Sequence, residues 1–150
     1  MSGSMWSQHR RPAPELDTSN VWRWEPSNPV EVTAQRRGLS AALHDGSRPE
    51  RAQEDAIENM LLVFEELVSN GLRHGESPVH VAVSTTPTGW LLDVSDAATD
   101  QPPALAVGRD PAYGGLGLYL VARLSAAYGW EVDGDRKHVW AQVAFASPER

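Results

Sequence analysis

Glu66, Asn70 and His74 stand four residues apart, so on a helix they stack as neighbours along one side. A carboxylate, a carboxamide and an imidazole in a row can receive a hydrated metal ion and the proton of a nucleophile. A second candidate is Asp96, where a strand pattern ends and a long Ala-, Pro-, Gly- and Asp-rich stretch begins. The third is Gly114-Gly115-Leu116-Gly117-Leu118, which opens a helical pattern. Unpaired backbone N–H groups and the positive helix end make such a turn an anion site, and glycine lets the backbone come close to a phosphate. It is not a P-loop, because no Gly-Lys-Ser/Thr follows. Nor is it a dinucleotide fingerprint, because the third glycine is missing and no strand directly precedes it.

The elements that must position these groups can be read from apolar spacing. Ile57, Met60, Leu61, Phe64, Leu67, Val68, Gly71 and Leu72 recur at helical intervals and predict a long helix from about Glu50 to His74. Leu62 and Val63 flank the polar row, which places that row in a cleft rather than in open water. Gly75 ends the helix as a left-handed terminator. Upstream, Asn20–Glu25 alternates and predicts a strand at a sheet edge. Asn28 is a candidate N-cap with Pro29 at the first position of a helix running to about His44, followed by a loop to Pro49. Val79–Ser84 and Trp90–Ser95 predict a hairpin. Leu120, Val121, Leu124 and Tyr128 predict a buried helical stripe ended by Gly129. Trp130–Asp133 and His138–Phe145 predict a last hairpin around Gly134-Asp135. Helices grouped beside antiparallel strands imply an α+β two-layer sandwich of a mixed, mainly antiparallel sheet and about three helices.

The chain has 150 residues, of which 41% are hydrophobic and six are Trp, enough for one core. The reading is an arm at 1–19 that is a flexible tail, with Trp6 touching the domain or a partner as the alternative, one domain at 20–146 and a tail at 147–150. The formal net charge is -7 and Lys137 is the single lysine. Without a basic face, phosphate-gripping nucleic-acid binding and an anionic membrane surface are disfavoured. Cysteine is absent, so there is no disulfide framework or thiolate metal site. The apolar runs are too short for a membrane span, and no signal core is present near the start. Cytoplasmic residence is the expectation.

Over about Val21 to Phe145 the chain resembles the histidine-kinase-like ATPase superfamily of gyrase, chaperone, histidine kinase and mismatch-repair proteins. Within it the likeness is to the anti-sigma-factor serine kinase group, in its small single-domain actinobacterial form. The carriers are Glu-Leu-Val-Ser-Asn-Gly-Leu-Arg-His-Gly at 66–75, Asp-Val-Ser-Asp at 93–96, Gly-Gly-Leu-Gly-Leu at 114–118 and Lys-His-Val-Trp-Ala at 137–141. The resemblance implies that Asn70 binds magnesium and bridges it to phosphates, and that Glu66 is the general base. It implies that Asp96 accepts a hydrogen bond from the adenine amino group. Gly115, Gly117 and Leu118 would offer backbone amides to the phosphates, and Ala97 to Tyr113 would be a flap over the nucleotide. His74 would touch a phosphate or anchor the helix end, and Arg109 in the flap would reach the terminal phosphate or stay solvated. The chain departs from the superfamily's first glycine motif, Asp-x-Gly-x-Gly, by reading Asp96-Ala97-Ala98-Thr99-Asp100. Ala98 therefore stands where glycine approaches adenine.

The implied cofactors are ATP and Mg2+, and the implied activity is serine/threonine phosphorylation of an anti-sigma-factor antagonist, regulating transcription by partner switching. The alternative is a catalytically weak or inactive ATP-binding module that sequesters a sigma factor or antagonist. A homodimer would use the first strand and helix. A detached sensor-kinase domain fits poorly, because no phospho-acceptor hairpin is present.

Overall fold

A computed structural model describes residues 6–12, 21–45, 54–103 and 115–146 of the chain, the last range without the side chain of Leu116. In chain order the elements are β1 (Val21–Trp24), α1 (Pro29–Leu43), α2 (Glu54–His74), β2 (His80–Thr85), β3 (Gly89–Asp96), α3 (Gly115–Leu124), β4 (Ala127–Asp133) and β5 (Arg136–Ala144). The strands form one sheet in the order β1-β2-β3-β5-β4, with every neighbouring pair antiparallel. The fold is the α+β two-layer sandwich that the sequence predicts.

α1 starts as its sequence dictates. The Asn28 side chain accepts a hydrogen bond from the Glu31 N–H at 2.9 Å, and Pro29 fills the first helical position. α2 carries a broad apolar face; Ile57, Met60, Val63, Phe64, Leu67 and Val68 are buried. That face lies over Val81, Val83, Trp90, Leu92, Val94, Val139 and Val143, which alternate along the strands toward the helices. Trp24 meets Phe64 edge-on at 5.3 Å and Trp90 meets Phe145 edge-on at 5.0 Å. At roughly 25 cal/mol per Å2, burying each such ring contributes about 2–3 kcal/mol.

Three expectations need correcting. α3 ends at Leu124, and Tyr128 and Gly129 belong to β4; the buried residues of its described turns are Leu118 and Val121. Gly75 is not left-handed, since among the described residues the glycine with positive φ is Gly134. The expected free arm is docked at residues 6–12. Trp6 is buried, lies 4.8 Å from the Tyr128 ring and donates to the Leu118 carbonyl at 3.3 Å. Gln8 bridges to Trp130 in parallel, with the His9 N–H donating to the Trp130 carbonyl at 2.8 Å. This short segment covers the open edge of β4.

Candidate functional site

α2 sets the spacing of the site. Glu66, Asn70 and His74 fall on successive turns, and Gly75 follows at the helix end. Gly75 stands nine positions after Glu66, roughly 13 Å along the helix. At the first end Glu66 lies against α3, where a side chain on Gly117 would collide with Glu66 Oε1. At the other end Gly75 lies against Asp96; a Cβ on Gly75 would stand 2.5 Å from Asp96 Oδ2. The structure thus brings Glu66 and the α3 turn together, brings Gly75 and Asp96 together, and holds Asn70 on the helix between them.

Glu66 is half-buried, with its pKa raised above the ordinary 4.5. Burial is the largest cause, the neighbouring Glu65 carboxylate adds to it, and Arg73 opposes both. A carboxylate held this way accepts a proton more readily than one in water. It also stands beside the first turn of α3, whose free N–H groups attract negative charge.

Asp96 is 2% exposed and fixed from several sides. Its Oδ1 accepts from the Ala98 N–H at 2.8 Å and from the Glu76 N–H at 3.3 Å. The first contact closes a turn over two residues, so Ala98 is buried and its backbone is engaged with Asp96. Oδ2 faces Lys137 Nζ at 3.7 Å. Lys137 is itself buried, and it lies directly across the β3–β5 ladder from Asp96. The motif at 137–141 includes Lys137, but spacing alone assigns it no role. The signal was there in composition: a single lysine, placed in an otherwise apolar alternation.

Asn70 is 7% exposed and His74 is partly buried; both have partners within the protein. Leu118 is buried in the core, and its carbonyl takes the Trp6 hydrogen bond. Gly115 opens α3. Arg109, Gly114 and most of the expected flap lie outside the described residues.

The other face of the sheet carries a separate set of groups. His138 Nδ1 meets Asp93 Oδ1 at 2.9 Å, Arg136 donates to Ser95 Oγ and to the Ser95 carbonyl, and Arg11 pairs with Glu131 at 2.6 Å and with Asp93 at 3.5 Å. A surface cavity of about 500 Å3 opens there beside His80, Asp93, Ser95 and His138. Strand alternation points these side chains away from Asp96, Val94 and the helices, so this cavity is not part of the α2 site.

The model of the histidine kinase-like ATPase domain family matches residues 26–143. The chain belongs to this family. The match runs from the approach to α1 through β5 and takes in α2, Asp96 and α3. Histidine kinase-like ATPase domains bind ATP, so the stretch from Glu66 to Asp96 lies within an ATP-binding fold. Among solved structures, the chain is similar to one from the SiaB–SiaC complex of Pseudomonas aeruginosa, with 17% identity, a TM-score of 0.51, and coverage of 83% of this chain and 88% of that one. It is also similar to the Acinetobacter baumannii histidine kinase AdeS, with 12% identity, a TM-score of 0.44, and coverage of 85% and 68%. The first likeness is one of fold. Comparison with curated protein sequences finds no significant match. Among the described residues, no helix is long and apolar enough to cross a membrane.

Proposed function

We propose that the chain is an ATP-dependent protein serine/threonine kinase of the anti-sigma-factor type, acting on a serine of a small antagonist protein and so on transcription. The observation that supports this most is the arrangement along α2. A proton-accepting carboxylate and a glycine helix start stand at one end, a buried aspartate at the other, and Asn70 between them. The length of that stretch suits a nucleoside triphosphate laid along the helix.

In this reading Asp96 accepts from the adenine amino group, beside the Ala98 turn. The amides of Gly115, Gly117 and Leu118 meet the phosphates, with His74 near them and Arg109 reaching from the flap. Asn70 would hold Mg2+. Among the described residues no group of three or more His, Cys, Asp or Glu side chains is set to cage a metal. One carboxamide oxygen fits an ion that keeps waters and shares the phosphate oxygens. When bound, the ion would neutralise triphosphate charge. Glu66 takes the proton from the serine hydroxyl as its oxygen bonds to the γ-phosphorus. The bond from that phosphorus to the bridging oxygen breaks, and ADP leaves.

Labelled ATP and an acceptor protein should yield phosphoserine, and Glu66→Ala should lower the rate on the order of 10²–10⁴-fold with nucleotide binding retained. Equal labelling by the variant would remove Glu66 from the role of base. A second reading, an ATP-binding module that holds a sigma factor or antagonist without transfer, is favoured by Ala98 in place of glycine. ATP-dependent capture of a partner with no label transferred would select it.

A further inference from the structure

The single lysine of the chain is buried beside the aspartate that the proposed function assigns to adenine. Lys137 is 3% exposed and Asp96 2%. Their separation of 3.7 Å is that of an ion pair too long for a good hydrogen bond. Among the described residues Asp96 is the charged partner of the ammonium, which has three protons to donate. A charge held in so buried a place needs a partner of opposite sign. Strand alternation puts Lys137 with Val139, Ala141 and Val143 on the helix side of β5, the side on which the nucleotide would lie.

The aspartate is asymmetric in its commitments. Oδ1 is taken by two backbone N–H groups, whereas Oδ2 faces Lys137 and Gly75. An acceptor, Oδ2, therefore stands next to a donor, Nζ. A base that offers an amino group beside an unprotonated ring nitrogen complements this pair.

We infer that Lys137 is a specificity-determining residue, donating to the ring nitrogen N1 of adenine while Asp96 Oδ2 accepts from the adjacent amino group. This rests on the nucleotide reading of the site, and it adds a second, charged contact to the base. Asp96 then keeps a counter-ion whether or not nucleotide is bound, and Lys137 gains a true hydrogen bond only when the base is present.

The probes are ATP and 1-deaza-ATP, in which a C–H replaces N1 and the amino group is kept. Wild-type protein should bind 1-deaza-ATP roughly tenfold or more weakly than ATP, the range for losing a charged hydrogen bond. Lys137→Met should weaken ATP by a similar factor and bind the two nucleotides alike. Because that change leaves Asp96 without its counter-ion, thermal melting must first show a folded variant; the wild-type comparison stands without it. Equal wild-type affinity for both nucleotides overturns the inference, as does a folded Lys137→Met that keeps the preference for ATP. If wild type binds neither nucleotide, the nucleotide reading itself falls and this inference with it.

Discussion

The α-carbon of Gly75 lies so close to Asp96 that a methyl group on it would stand 2.5 Å from both Cγ and Oδ2, and 2.7 Å from the Gly71 carbonyl. Asp96 has nowhere to retreat, being held by Ala98, Glu76 and Lys137. Gly75→Ala should therefore destabilise the fold by about 1–3 kcal/mol in urea denaturation. It should also weaken ATP binding at least tenfold in a titration. Wild-type affinity in that variant would mean Asp96 does not shape the nucleotide pocket.

Gly117 makes a different prediction from a similar contact. Its missing side chain makes room for Oε1 of Glu66, the free end of a flexible side chain. Glu66 can swing away, and alanine favours the helix by up to about 1 kcal/mol. Gly117→Ala should keep or raise the melting temperature while phosphoryl transfer falls on the order of 10²-fold. A variant both folded and fully active would separate Glu66 from the chemistry at the α3 turn.

The raised pKa of Glu66 has a thermodynamic sign. The folded chain holds this proton more readily than the unfolded chain, so this group's contribution to stability is complete below the ordinary 4.5 and is lost as pH rises through the raised value. Glu66→Gln should melt higher than wild type at neutral pH, and the difference should fade as pH falls below that ordinary value. Wild-type transfer activity should rise with pH over the same interval as the base loses its proton. A Gln variant less stable than wild type at neutral pH would contradict the sign.

Trp6 ties the first described segment to β4 through Tyr128 and to α3 through the Leu118 carbonyl. Trp6→Ala should cost about 3 kcal/mol, the low end for losing a buried large aromatic. Trp6→Phe, which keeps the ring but loses the indole N–H, should cost about 1 kcal/mol. Chemical denaturation measures both; unchanged stability in Trp6→Ala would mean that residues 6–12 do not dock in solution.

Much of the fold was readable because long elements carry redundant signals. α1 has a capping asparagine and a first-turn proline, and α2 repeats its apolar spacing over about four turns. Tyr128 reads as helical for a definite reason. It stands four residues after Leu124, and a spacing of four keeps both a helical stripe and a strand face. Gly75 reads as a left-handed cap because sequence does not distinguish a positive φ from a close neighbour; both need glycine. Trp6 is a lone aromatic in a polar stretch, without a period to reveal what it packs on. Lys137 gained its role only from the register that sets it opposite Asp96, and cross-strand register is a tertiary fact.

The most direct measurement is calorimetric titration of wild type, Asn70→Ala and Asp96→Asn with ATP and Mg2+. The arrangement along α2 predicts saturable binding by wild type, weakened at least tenfold in each variant that still melts cooperatively. Absence of binding by wild type, or wild-type affinity in both folded variants, would contradict the assignment of this site to a nucleotide.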